Sequence, residues 1–238
     1  MHFKKLATFS LCLILTGCAH TNNYPEDAYD AVDSSQAQEQ TMAKQSPEEI
    51  YQIGNRYAKG SGGVVRDDRQ AVIYYSEAAR RGYAKAEYAL GYMYRSGRGV
   101  AKNYNTSAEW FERAAAQGNA DAQNSLGVRY LLGQGTTQDY AQAIQWFQKA
   151  AAQNNAYAQN ELGYLYAAGK GVERDYATSL KWYQAAAEHN LPSAQYNLGL
   201  MYANGMGTDV DKAKAHEWFQ KAAANGFRPA RRALAQYS

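Results

Sequence analysis

The side chains able to do covalent or metal chemistry are few in this chain and poorly placed for it. Both thiols, Cys12 and Cys18, lie near the N-terminus, and residues 46–238 hold no cysteine and only two imidazoles, His189 and His216. These two are far apart in sequence, whereas a metal centre needs several converging ligands. No metal site, no cofactor and no disulfide is therefore expected. His189 reads as the end of a helix, where the partial negative charge favours a cation. Glu109 and Glu112 have the chemistry of an acid–base pair, but they flank Trp110 and read as one solvated helix face. Gly-x-Gly triplets such as Gly97-Arg98-Gly99 cradle phosphates when a strand leads into them; here no strand pattern does, and they read as helix terminators. Residues 46–238 carry 22 basic and 17 acidic residues, interspersed, so no continuous basic stripe of the kind nucleic acid needs is present. Catalysis is not expected.

What does stand out is positional. Leu90-Gly91, Leu126-Gly127, Leu162-Gly163 and Leu198-Gly199 recur every 36 residues, and Ile53-Gly54 is an earlier copy displaced by one inserted residue in Gly60-Ser61-Gly62-Gly63. A Tyr one helical turn later keeps step, as do the Gly-x-Gly turn, an aromatic pair (Trp110-Phe111, Trp146-Phe147 and their counterparts) and an Ala pair. A fixed period of this size predicts stacked units, each able to bury its apolar face only against its neighbours. Within a unit, Ala86, Leu90 and Tyr94 are four apart and define the buried stripe of a first helix, A. A second helix, B, starts at an N-cap residue: Asp67, Asn103, Asp139, Asp175 or Asp211. Helix A ends at Gly97, Gly133, Gly169 and Gly205, and helix B at Gly82, Gly118, Asn154, Asn190 and Gly226, the residue types of a left-handed cap. Ser46-Pro47-Glu48-Glu49 is a capping box with Pro at the first helical position. Ala230, Leu234 and Tyr237 continue the A pattern without a B helix after them, which predicts a terminal capping helix with Arg231 and Arg232 on its outer face.

The pattern A-x-x-x-L-G-x-x-Y, then G-x-G, then W-[FY]-x-x-A-A resembles the Sel1-like repeat, a relative of the tetratricopeptide repeat. The resemblance covers residues 46–238. It implies an all-α fold: a right-handed α-solenoid of five helix-turn-helix units (about 46–82, 83–118, 119–154, 155–190 and 191–226) plus a C-terminal capping helix at 227–238. It also implies binding of other proteins, often in envelope biology or signalling. Some bacterial members staple each unit with a Cys pair; this chain has none there, so its units are held by packing alone.

The N-terminus carries a separate message. Lys4 and Lys5 precede the short apolar run Leu6 to Leu15, and small residues lead up to Cys18. A run this short with a basic start reads as a secretion signal and not a membrane span. Leu15-Thr16-Gly17-Cys18 resembles the bacterial lipobox, which implies cleavage after residue 17, diacylglycerol on the Cys18 thiol and acylation of the new amine. The resemblance points to the outer membrane, because Ala19 stands where Asp would favour inner-membrane retention. Several acyl chains give stable anchoring, each buried methylene adding about 0.8 kcal/mol. Residues 18–45, with Glu26, Asp27, Asp30, Asp33 and Glu39 against Lys44 alone, read as an acidic tether too polar to fold. The expectation is a lipoprotein of the bacterial envelope facing the periplasm.

If the work is binding, helical arithmetic gives a face. The A-helix positions two before, two after and five after the Leu share a side distinct from the core stripe; in the related tetratricopeptide fold that side lines the concave surface. Here the candidate partner-binding residues are Tyr51 and Asn55; Tyr88, Tyr92 and Arg95; Asn124, Val128 and Leu131; Asn160 and Tyr164; Tyr196 and Leu200. Tyr gives large contact area at low entropic cost, and Asn both donates to and accepts from a peptide backbone. With 21 Tyr in the chain, some of these rings also serve packing between units. Three roles stay open: a membrane-anchored scaffold or regulator that binds a protein or peptide, an immunity protein neutralising a periplasmic effector such as a lipase, and a cell-wall-active enzyme or glycan-binding module.

Overall fold

The computed structural model describes residues 39–236. The signal segment, Cys18, most of the tether and Tyr237 lie outside the described residues. Contacts divide the chain into Met1–Lys44 and Gln45–Ser238. In the first unit residues 39–43 are helical (α1), as the helix formers Glu39, Gln40, Met42 and Ala43 allow.

The second unit is an α-solenoid with no strand among its described residues. Five helix pairs follow one another: α2 (Pro47–Lys59) with α3 (Asp68–Arg80), α4 (Ala84–Ser96) with α5 (Tyr104–Ala116), α6 (Ala120–Leu132) with α7 (Tyr140–Ala151), α8 (Ala156–Ala168) with α9 (Tyr176–Glu188), and α10 (Pro192–Asn204) with α11 (Lys212–Ala224). The array closes with α12 (Arg228–Gln236). Each A helix packs against its own B helix and, from α4 onward, against the B helix of the pair before it.

The local signals act as the residue types require. Ser46 accepts from the Glu49 amide while the Glu49 carboxylate accepts from the Ser46 amide, completing the capping box. Asp67, Asn103, Asp139, Asp175 and Asp211 each accept from first-turn amides of their B helix. The loop between helices is tied off by the amide of that same N-cap residue, which donates to the carbonyl of the A-helix Tyr, as Asp139 does to Tyr130 at 2.9 Å and Asp211 to Tyr202 at 2.9 Å. Asn154 and Asn190 take φ of 63° and 58°, the same left-handed corner that Gly82, Gly118 and Gly226 occupy in the other pairs.

The core explains the Leu-Gly pair. Leu90, Leu126, Leu162 and Leu198 are almost wholly buried, as are the second aromatics Phe111, Phe147 and Phe219. A Cβ added at Gly127 would lie 2.5 Å from the Phe147 ring, and one at Gly91 2.5 Å from Phe111, so helices A and B approach to a distance only Gly permits. The A-helix Tyr at 94, 130, 166 and 202 is only half-buried, at the margin of the core. Trp146, Trp182 and Trp218 also pack from the margin, each against the core of its own A helix and the preceding B helix. Lys149 and Lys221 lie 4.1 and 4.0 Å from the ring centres of Trp146 and Trp218, covering the exposed sides.

A buried polar lane runs through this core. Glu87, Gln123, Gln159 and Gln195 occupy one position in successive A helices and are almost inaccessible to solvent. Gln123, Gln159 and Gln195 donate to the carbonyls of Ala115, Ala151 and Ala187 in the preceding B helix. Their oxygens take a donor from the end of their own B helix: Gln153 donates to Gln123 at 2.9 Å and Asn225 to Gln195 at 3.0 Å. In the fourth pair the corresponding residue is His189, exposed to solvent, and the Gln159 Oε1 is buried without a partner.

Candidate protein-binding face

The A-helix face is aimed by the packing just described, because Gly against ring fixes each A helix in rotation. The position two before the Leu is half-buried in all five pairs. Tyr51 lies 5.6 Å from Tyr75 and 5.3 Å from Tyr83, Tyr88 lies 5.7 Å from Phe111, and Tyr196 lies 5.6 Å from Phe219 and 5.3 Å from Phe227. These three rings thus serve both the face and the stacking of one pair on the next. In the two middle rows the same place holds Asn124 and Asn160. The Asn124 Oδ1 is buried and has no hydrogen-bond partner. Asn160 accepts from Asn197 at 3.2 Å and donates to Glu161 at 3.2 Å, so α8 and α10 are linked along the face.

Two residues after the Leu the rows diverge. Asn55 accepts from the Tyr75 hydroxyl at 2.8 Å; burial of that hydroxyl, with Tyr51 beside it, pushes its pKa up to about 12. Val128 packs, together with Leu131 five after the Leu, against the core of the α7–α8 junction. Leu200 packs with Tyr196 against the core that α12 closes. Tyr92 and Tyr164 are the most open members of the row, each 39% exposed. Cations attend both: the Arg95 guanidinium sits 5.3 Å from the Tyr92 ring centre, and the Lys170 Nζ donates to the Tyr164 hydroxyl at 2.7 Å. That hydrogen bond raises the Lys170 pKa further above its ordinary value. The neighbouring acid, Glu161, has its pKa raised by burial.

The face is therefore a strip on α4, α6 and α8 in which Tyr92 and Tyr164 flank Asn124 and Asn160. Tyr88, Val128 and Leu131 within the strip, and Tyr51, Tyr196 and Leu200 beyond it, are partly absorbed into packing. None of these residues converges into a catalytic arrangement, and among the described residues no group of three or more His, Cys, Asp and Glu is placed to hold a metal ion. Glu109 and Glu112 are exposed, and Glu112 pairs with Arg129 at 3.3 Å. No described helix is long and apolar enough to cross a membrane.

The Sel1 repeat model matches five consecutive stretches, residues 50–83, 84–119, 120–155, 156–191 and 192–227. The chain belongs to the Sel1 repeat family. Among solved structures, a Sel1 repeat protein from Oxalobacter formigenes is 34% identical with a TM-score of 0.75, over 86% of each chain. The Escherichia coli protein c5321, described as a protective antigen of uropathogenic strains, is 39% identical with a TM-score of 0.73 over 79% of this chain, which spans 40% of c5321. The immunity protein PA5088 from Pseudomonas aeruginosa matches with a TM-score of 0.53 at 22% identity, over 79% of this chain and 68% of that one, a likeness of fold. No curated protein matches. Sel1 repeat proteins bind protein partners, and the face above is one part of this array with aromatic groups partly free of its own packing, as Tyr104 and Tyr157 are elsewhere.

The polar lane of Glu87, Gln123, Gln159 and Gln195 was not part of the sequence reading. Its signal is plain afterwards: a Gln or Glu follows the A-helix Ala at every 36-residue step from 87 to 195.

Proposed function

We propose that this Sel1 protein is a lipid-anchored scaffold of the bacterial envelope that takes an extended segment of a partner protein along its A-helix face. The observation that carries the reading is the strip itself: two exposed Tyr beside Asn124, whose buried oxygen lacks a donor. A buried acceptor left unmet costs about 1–3 kcal/mol, and a rotation of the Asn124 amide that brings this oxygen to the surface lets a backbone amide of a bound peptide supply the missing donor. Tyr92 and Tyr164 then contribute apolar area with their cations nearby. The anchor follows from the sequence around Cys18, with the periplasmic side of the outer membrane as its address.

The test is crosslinking of the full chain in bacterial envelopes, followed by pull-down and mass spectrometry. The combined variant Tyr92→Ser, Asn124→Ala, Asn160→Ala is expected to lose capture while keeping its helical content, with the midpoint lowered only by loss of the Asn160–Asn197 bond. Wild-type capture by that variant rejects the face. The captured protein assigns the finer role: a hydrolytic effector marks immunity, an assembly component marks a scaffold. Cys18→Ser is expected to abolish incorporation of labelled fatty acid and release the chain from the membrane fraction; unchanged fractionation rejects the anchor. Purified protein is expected to leave cell-wall polymer intact, and turnover abolished by one substitution would replace the scaffold reading with an enzyme.

A further inference from the structure

Where the array ends, α10 and α12 enclose a pocket of about 360 Å³, lined by Tyr196 and Leu200 on one side and by Arg228, Arg232, Ala233 and Gln236 on the other. Its apolar side is held in place, since the Tyr196 ring rests between Phe219 and Phe227. Its polar side is unusual in charge. Helix α12 carries Arg228, Arg231 and Arg232 and no acid, all three are exposed, and none forms an ion pair with a described residue. The three lie in the first five residues of the helix. Arg228 and Arg232 are one turn apart and so share the side that faces Tyr196. An anion in the pocket is stabilised by Arg228 and Arg232 together.

We propose that this pocket binds the C-terminal end of a peptide chain, with the terminal carboxylate between Arg228 and Arg232 and the last, apolar side chain over Tyr196 and Leu200. Guanidinium forks match a planar carboxylate in two parallel hydrogen bonds, which a lysine ammonium does not. The cavity is at the small end of the ligand-site range of about 300–1,000 Å³, a fit for the end of a chain more than for a strand running through. A chain terminus brings a carboxylate and an apolar side chain together within a space of this size. The proposal rests on the reading of the A-helix face as a peptide surface, because Tyr196 and Leu200 form its last row, and it gives that row a polarity: the ligand's chain ends at the cap.

Fluorescence anisotropy tests it, using the full chain in detergent and a labelled short peptide ending in Ala-Leu with a free carboxylate. Amidating the peptide terminus is expected to weaken binding about tenfold or more through loss of the charge-assisted bonds. Arg228→Gln and Arg232→Gln are each expected to do the same, and Arg231→Gln, outside the pocket lining, to leave affinity and thermal midpoint unchanged. Equal binding of acid and amide overturns the proposal, as does an Arg231→Gln loss equal to that of Arg232→Gln. Equal binding of an amidated peptide with an internal Asp overturns the terminal assignment. Binding that appears only after removal of Tyr237 and Ser238 makes the chain's own end the occupant and overturns it too. The middle-row variant Tyr92→Ser, Asn124→Ala, Asn160→Ala leaves this pocket intact, so retained peptide binding there with failed partner capture separates the two readings.

Discussion

The seam between neighbouring helices and the A-helix face are carried by the same five helices, yet they obey opposite rules. Along the seam each pair offers nearly the same shapes: Gly against a ring, Ala on Ala, and from the third pair onward a long polar side chain bonded to the preceding pair. Along the face the residue type changes, from Tyr88 to Asn124 to Asn160 to Tyr196. A position that must fit a neighbouring copy is constrained by that copy; one at the margin of the seam is free to differ from pair to pair. Uniform packing and a varied face thus lie within single helices, a few residues apart.

The largest expected break comes at the seam. Gly127→Val forces a branched side chain into a place where even a Cβ lies 2.5 Å from the wholly buried Phe147 ring. Overpacking of this kind costs about 1–3 kcal/mol, and the helix-propensity gain over Gly offsets only about 0.4 kcal/mol of it. Urea unfolding should show a loss of about 2 kcal/mol; an unchanged midpoint would mean that the helices can part without penalty.

A gain is expected one step down in size. His189→Gln places an amide where Gln153 and Asn225 stand in other pairs, within reach of the orphaned Gln159 oxygen. A hydrogen bond of this type is worth about 1 kcal/mol, seen as a raised thermal midpoint. Absence of any gain would separate the fourth pair from the rule the others follow.

Glu87 sharpens the same comparison by pH. Burial raises its carboxyl above the ordinary value, with Arg113 at 3.5 Å and the Gln117 amide at 2.6 Å acting the other way. Between the unfolded and the raised folded value the folded chain keeps a proton that the unfolded chain has lost. The contribution of this group to stability is therefore full below the unfolded value and declines as pH rises through the folded one. Glu87→Gln removes that decline and supplies the donor that Gln123, Gln159 and Gln195 use. Relative to wild type, the variant should become steadily more stable as pH rises across the window, checked by unfolding series at matched ionic strength. Asp68 has the reverse sign: Arg98, at 2.6 Å, and Arg66 hold its carboxyl down to about 2, so its contribution is present above 3.8 and is lost as pH falls toward 2.

The smallest effect on stability belongs to the face. Tyr164→Ser alters a side chain 39% exposed and should change unfolding free energy by no more than about 0.5 kcal/mol. Its effect on partner capture should be far larger. A Tyr164→Ser chain that unfolds readily would place this ring with the seam.

Period, caps and the buried Leu and Ala positions were legible because each is a local rule: 3.6 residues per turn, a side chain two or three residues from an unpaired amide, a corner with positive φ. The double duty of Tyr51, Tyr88 and Tyr196 was less so. A Tyr two before the Leu sits at the edge of the stripe, and whether its ring turns inward depends on the residue that the next pair places against it, Tyr83 or Phe227. The pairing of Gln153 with Gln123 joins residues 30 apart through the angle between two helices, which periodicity does not encode. The pocket at the cap depends on how α12 lies across α10, and no sequence spacing fixes that.

The second glycine of each loop carries a further consequence. A Cβ at Gly99 or Gly207 would strike the backbone carbonyl of Asp68 or Tyr176, at the start of the B helix one pair earlier. The loops at Gly99, Gly171 and Gly207 are thus sockets for the preceding pair, and the first loop, with no earlier helix pair among the described residues, is the one that carries a spare residue at Gly60 to Gly63. Duplication or loss of a whole unit at an internal border recreates a joint of the same kind, so this architecture can grow or shrink its reach by fixed increments.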